Sequence, residues 1–312
     1  EGLLIAVDGP REDVEDITRF EYNKQGQLTK LTDPVGRQYQ VLAYDDYGRP
    51  TALQPPGTAP IKLDYDAAGR IRSIDWNGQG VAYQYDAQGR LTQLTNPLGQ
   101  TQSLKYDAAG RLIEQSDSHG NTQKLDWDTE NRPLSKQTLA AGQDLIGSLR
   151  YLYDANGQLS GIENQYGAQA SYQYDELGRI TGVDTASGEH TQIAYDEAGR
   201  PIHVSSPKGQ MGYAWHNGKL TQVIDARGNA THYHYDDFGQ LIALNSPDTG
   251  VTHYAYNAAG QMVSHTNALG QTTTHQYDAA GRRSHTKSPE GQTHYAYHAN
   301  GRLSDITNPT ST

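Results

Sequence analysis

One short unit recurs along almost the whole chain, and that repetition constrains the fold more than any other feature. Aligned on the aromatic residue before a turn, the copies fall at Tyr22, Tyr44, Tyr65, Tyr85, Tyr106, Trp127, Tyr153, Tyr174, Tyr195, Trp215, Tyr235, Tyr256, Tyr277 and Tyr297. Successive copies are 20 to 22 residues apart, except for the 26 from Trp127 to Tyr153. That unit is about five residues longer, the extra length lying near 135–150. A unit this small cannot bury a core by itself and is stable only when stacked on its neighbours. The expectation is a single array over 1–312, with a partial leading strand region at 1–20 and repeats over 20–307.

Each copy reads as a β-hairpin. In Tyr85-Asp86-Ala87-Gln88-Gly89-Arg90-Leu91 the Asp is placed to accept bonds from the backbone ahead of it. The Gly three residues later suits the left-handed conformation that follows a type I turn. Asn23, His216, Asn257 and His298 replace the Asp, Asn131 replaces one Gly, and Trp215-His216-Asn217-Gly218 is one residue shorter. A second turn links one hairpin to the next, as in Asp33-Pro34-Val35-Gly36, Asn96-Pro97-Leu98-Gly99 and Ser288-Pro289-Glu290-Gly291. Two turns in 21 residues leave two strands of about six, the usual length. No segment sustains a helical period, so the chain reads as all-β.

The strands carry two patterns. Before the turn, aromatics alternate, as at Tyr83 and Tyr85 or Tyr254 and Tyr256, and so share one face. After it, aliphatics fall three apart, as at Leu91 and Leu94 or Ile71 and Ile74. That spacing breaks strict alternation and requires either a bulge or burial on both faces. About fourteen hairpins give about 28 strands, a width of roughly 130 Å at 4.8 Å per strand. Open twisted sheets rarely exceed about ten strands without curling. The expected product is a curved or spiralling sheet, part of a hollow shell.

Composition removes several functional classes. Leu, Ile, Val and Phe number 51 of 312 residues, too few for a large conventional core. The 22 Tyr and 33 Gly point to strands and turns rather than disorder. Without cysteine there is no disulfide framework, thiolate site or cysteine nucleophile. A formal charge of −11 argues against nucleic acid as a partner, and no apolar run is long enough for a membrane span. Gly2-Leu3-Leu4-Ile5-Ala6-Val7 is too short and lacks the basic flank of a signal peptide.

Near-identical copies such as Tyr65-Asp66-Ala67-Ala68-Gly69-Arg70-Ile71, Tyr106-Asp107-Ala108-Ala109-Gly110-Arg111-Leu112 and Tyr277-Asp278-Ala279-Ala280-Gly281-Arg282 carry a resemblance. The unit closely resembles the YD-repeat of the Rhs family, from about Phe20 onward. Gln27, Gln158, Gln240 and Gln261 depart from it where the family has Arg. Relatives in that family include wall-associated bacterial proteins, shell components of insecticidal toxin complexes and the animal teneurins. The resemblance implies a hollow β-shell around a variable C-terminal toxin or cargo domain of the same polypeptide. It further implies delivery to competitor or host cells, often by type VI secretion, from a protein held in the cytoplasm before export to the cell surface or beyond. The family's shell-closing segment, with its Asp-Pro-x-Gly-Leu end and self-cleaving aspartates, has no counterpart here. The sequence is therefore expected to be a stretch of a longer protein.

Candidate sites yield to structural roles. The repeated Asp and Arg suit turn capping and a reach to the neighbouring strand; catalysis needs one constellation, not fourteen. Asp45-Asp46 and Asp236-Asp237 are each a turn Asp plus its variable neighbour rather than a glycosidase pair. Eight of the 12 His lie in the last 81 residues: His232, His234, His253, His265, His275, His285, His294 and His298. Of these, His232, His253 and His294 share one position, on the face opposite the Tyr pair, and form a polar row rather than a metal site. No phosphate-binding Gly loop, nucleophile elbow or zinc motif occurs. The expectations are no catalytic, cofactor-binding or metal-ligating residues, no cofactor and no enzymatic activity. A cell-surface carbohydrate- or partner-binding repeat module is the alternative, and a polysaccharide-degrading enzyme a distant third.

Overall fold

The computed structural model describes residues 2–308. Among them are 29 strands and no helix, and every strand pairs antiparallel with its neighbours in sequence. The expected all-β sheet of hairpins is the fold observed. Most strands have five to seven residues, such as Ile71–Trp76, Gln79–Tyr85, Leu91–Thr95 and Thr101–Tyr106.

Many linking turns are built like the tight turns, while others, such as Ser288–Gly291 and Ser206–Gly209, are two-residue connections whose end residues pair directly. At the tight turn, Asp86 N–H donates to Arg90 O (2.9 Å) and Gly89 N–H to Asp86 O (3.0 Å). At the linking turn, Asn96 N–H donates to Gln100 O and Gly99 N–H to Asn96 O, both at 2.9 Å. Gly89 has φ +85° and Gly99 φ +76°, a region where a side chain is strained. Asn131, standing where the other units have Gly, takes φ +64°. The shortened turn is a two-residue connection with Asn217 at φ +47° and Gly218 at +76°, as a type I′ turn requires.

The aliphatic spacing of three is resolved as a bulge. Tyr83 faces Leu94 and Gln84 faces Gln93, whereas Tyr85 faces Leu91, so Thr92 is the extra residue. One bulged residue returns Leu91 and Leu94 to the face that holds Tyr83 and Tyr85. The same shift recurs at Ile71 and Ile74 opposite Tyr65 and Leu63, and at Ile180 and Val183 opposite Tyr174 and Tyr172. Val81, Tyr83 and Tyr85 are half-buried while Ala82 and Gln84 are exposed.

The wall is one layer thick. Leu139 is the only buried apolar side chain among the described residues. It belongs to the longer unit, whose strands Pro133–Leu139 and Leu145–Tyr153 have seven and nine residues. Leu139 is held opposite Thr122 on one side and Leu145 on the other. The added length of 135–150 thus extends one hairpin arm rather than adding an element.

Pairing between hairpins is shorter than pairing within them. The strands Ile71–Trp76 and Gln79–Tyr85 pair from Trp76–Gln79 only as far as Ser73–Ala82. They then part towards the tight-turn end, where Tyr85 and Arg70 fill the gap. Repeated at successive hairpins, this splay bends the sheet into a coil whose ends meet. Arg11 reaches the carbonyls of Tyr277 and Asp278, and Gly57 abuts Ala299 and Asn300. Linking turns of the first hairpins therefore lie on tight turns of the last, so one circuit advances by about a strand length.

Candidate functional site

The repeated polar residues form a row of latches along the tight-turn edge. Asp86 Oδ1 accepts the N–H groups of Gln88 and Arg90, both at 2.9 Å, and Asp86 Oδ2 accepts Arg90 Nε at 2.6 Å. Asp66, Asp107, Asp175 and Asp196 bond in the same way to Arg70, Arg111, Arg179 and Arg200. The backbone N–H of that arginine, then its guanidinium, holds each of these four carboxyls below the usual carboxylate range.

The arginine then reaches the next unit. Arg70 Nη1 donates to Asp86 O at 3.3 Å, Arg90 Nη1 to Asp107 O at 3.2 Å and Arg179 Nη1 to Asp196 O at 3.1 Å. The guanidinium stacks on that unit's aromatic ring, with Arg70 at 4.6 Å from Tyr85 and Arg90 at 4.9 Å from Tyr106. The ring answers in the opposite direction: Tyr85 Oη donates to Ile71 O (2.9 Å) and Tyr106 Oη to Leu91 O (2.8 Å). Where Trp replaces Tyr, Trp127 Nε1 donates to Leu112 O and Trp215 Nε1 to Pro201 O, both at 2.8 Å. A donor at the ring's far end is what the position demands. The fourteen anchors include Tyr and Trp but never Phe, so that signal was present in the sequence. The arginine's reach to the neighbouring strand was legible too, but that it ends stacked on the next ring was not, because this depends on the splay between hairpins.

As chemistry, the row is mechanical. Each described Asp that opens a tight turn accepts at least one backbone N–H, and most also hold an arginine. Asp45 bonds Arg49 at 2.6 Å and Asp236 accepts the N–H of Gln240 at 2.8 Å, so the first carboxylate of each adjacent Asp pair is engaged in its own turn. No metal-binding group of three or more His, Asp or Glu occurs among the described residues.

The histidines divide between the two faces. His232, His253 and His294 lie on the face opposite the Tyr pair, as expected, but they do not meet. His232 faces Asn245, whereas His253 faces Ala243, which itself faces His234. On that face only His285 and His294 have touching rings among the described residues, with centroids 4.3 Å apart. His265 and His275 instead occupy aliphatic and Tyr positions on the other face, stacked at 5.6 Å. His275 is buried, and burial, with Arg283 and His265 nearby, lowers its pKa from the ordinary 6.5. Thr286 bonds it at 3.2 Å, and Tyr254 faces His265. A His held neutral by the fold contributes stability above its unfolded pKa and loses it as pH falls through that value towards the folded one. The protection of Met262–Thr266, Thr272–Tyr277 and Arg283–Ser288 against hydrogen exchange, relative to the intrinsic rate at each pH, is therefore expected to fall as pH drops from about 7.5 to about 5.5. His275→Tyr, the residue found there in several other units, should remove that dependence; persistence in the variant would assign it elsewhere.

Comparison with known proteins follows the repeat register. A teneurin YD-shell family matches residues 58–193 and 135–213, together half of the chain. An RHS repeat family matches 22–59, 215–251 and 256–293. The chain belongs to the Rhs/YD-repeat family. Teneurin-m of Drosophila melanogaster is 27% identical to it over 89 residues, 28% of the chain and 3% of the relative. Among solved structures, the Photorhabdus luminescens Tc holotoxin pore superposes on 94% of the chain with a TM-score of 0.74 and 16% identity. TcdB2–TccC3 without its hypervariable C-terminal region gives 0.59 over 94% of the chain at 15% identity. The YD-repeat chain spans 18% of each of those chains, and at such identities the likeness is one of fold.

Proposed function

We propose that this YD-repeat array is a stretch of structural wall in a shell that encloses a toxin or other cargo polypeptide. The observation that carries the reading is the closure of the single-layer coil, whose first hairpins lie against its last. A wall one residue layer thick, with its carboxylates held in latches, separates two spaces without chemistry of its own. The cargo is a C-terminal domain of the parent polypeptide, and the shell keeps it inactive until delivery to competitor or host cells. Export by a secretion apparatus such as type VI belongs to the same reading and rests on the family resemblance. The array has no catalytic role in it.

Limited proteolysis of the parent polypeptide tests this. An enclosed C-terminal domain survives protease while the wall is folded and is degraded once mild denaturant opens it. Cleavage at equal rates in both conditions would sink the reading. One observation favours the alternative of a surface-binding module: Tyr47, Tyr166 and Phe238 stand 85%, 87% and 91% exposed at turn tips. Glycan binding abolished by Tyr166→Ala and Phe238→Ala would then be the expected result.

A further inference from the structure

The coil is closed by contacts that the repeat does not supply. Along the wall, the carbonyl of a turn Asp accepts the latch arginine of the preceding unit, as at Asp86, Asp107, Asp128 and Asp196. Before Asp278 that latch position is Gln261, a shorter side chain whose Nε2 stops at Gly281 O, 2.9 Å away. Asp278 O instead accepts Arg11 Nη1 at 2.6 Å, and Tyr277 O lies 3.3 Å from the same nitrogen. Arg11 precedes the repeats, yet its guanidinium meets the chain 267 residues later as a latch arginine would.

The surroundings hold Arg11 in this place. Its side chain is only 6% exposed. Its Nε and Nη2 donate to Asp13 at 3.0 and 2.5 Å, and its backbone N–H to Asp16 Oδ2 at 3.2 Å. One hairpin on, the linking turn Asp33–Arg37 is closed like a tight turn, with Arg37 Nε on Asp33 Oδ2 at 2.5 Å. Arg37 Nη1 lies against Gly301, as Arg49 and Arg70 lie against Gly69 and Gly89 within the array. Two arginines from the start of the chain thus pack on tight turns at its end, Arg11 in a vacant latch position and Arg37 beside Arg282, which already stacks on Tyr297.

We propose that the carbonyls of Tyr277 and Asp278, behind Gln261, form a guanidinium-binding site whose ligand is Arg11, and that this pairing closes the coil. The departure from consensus at Gln261 is then a specificity element. An arginine there would claim Asp278 for the unit before it and leave the seam without its acceptor. Gln27, Gln158 and Gln240 are equivalent departures, but no arginine from elsewhere in the chain bonds the turns that follow them among the described residues.

An engineered disulfide reads the seam directly, since the chain has no cysteine of its own. A Cβ at Gly57 would stand 3.0 Å from Ala299 Cβ, about half an ångström closer than a disulfide holds its Cβ atoms, so Gly57→Cys with Ala299→Cys forms a bridge after a slight outward shift when the coil is closed. The strain of a side chain at Gly57, φ +62°, is common to every variant and cancels in comparison. Gly120→Cys with Ala141→Cys, whose Cβ atoms would lie 3.4 Å apart, reports local folding away from the seam. Arg11→Gln is expected to slow bridging at the seam by about tenfold, as loss of a charged hydrogen bond implies. Gln261→Arg is expected to slow it similarly although it restores the repeat consensus. The control pair should bridge equally fast in both. Unchanged seam bridging in Gln261→Arg, or equal slowing of both pairs, would overturn the proposal.

Discussion

Tyr106→Phe is expected to destabilise its part of the wall by about 1 kcal/mol, and Tyr106→Ala by about 3 kcal/mol. Tyr106→Trp should be close to neutral. The hydroxyl donates to Leu91 O at 2.8 Å across a gap that backbone pairing does not span. Phe keeps the ring under Arg90 but leaves that carbonyl without its donor. Ala removes the ring as well, so the guanidinium loses its stacking surface and the strands Leu91–Thr95 and Thr101–Tyr106 lose their bridge. Trp supplies a donor at comparable reach, as Trp127 and Trp215 do. Because each unit is held only by its neighbours, a broken latch should divide the array into two cooperative blocks. Hydrogen exchange should show faster opening on both sides of Tyr106, and urea unfolding a lower midpoint. Identical stability of the Tyr and Phe forms would mean that the hydroxyl bond contributes nothing.

The second large effect concerns the one place where the wall approaches a conventional core. Leu139→Ala is expected to cost about 2–3 kcal/mol, since a buried leucine leaves a cavity that partners across the sheet fill only in part. Leu145, directly opposite it, is 54% exposed, and Leu145→Ala should stay within about 0.5 kcal/mol. Thermal unfolding with exchange on Pro133–Leu139 and Leu145–Tyr153 measures both. Equal losses would show that the arm is held by pairing alone and that burial of Leu139 is incidental.

How legible each of these features is in the amino-acid sequence depends on its range along the chain. The tight turn is legible because Asp86, Gly89 and Arg90 interact within five residues, and each residue type has one physical reason to be there. The hairpin follows from the two turns. The spacing of Leu91 and Leu94 announces an irregularity but leaves two explanations, because a bulge shows itself only in register against Tyr83 and Tyr85. The shared position of His232, His253 and His294 is real, and so is their face. Their separation is hidden, because each hairpin shifts the register relative to the last. His265 and His275 do not read as a pair, since they stand at different positions of successive units and meet only across paired strands. Arg11 carries no repeat signature at all.

The period, the two turns, the all-β meander and the latch residues are written in the order of amino acids, because all are consequences of interactions spanning one unit or two. That the coil closes, and where, is a property of the folded wall. Closure sums a small splay angle over about a dozen junctions between hairpins, and a few degrees at each would miss the seam by many ångströms. No single unit encodes that sum. It is registered instead by residues outside the pattern, Gln261, which leaves the Asp278 carbonyl open, and Arg11, which reaches that carbonyl only once the whole wall has bent.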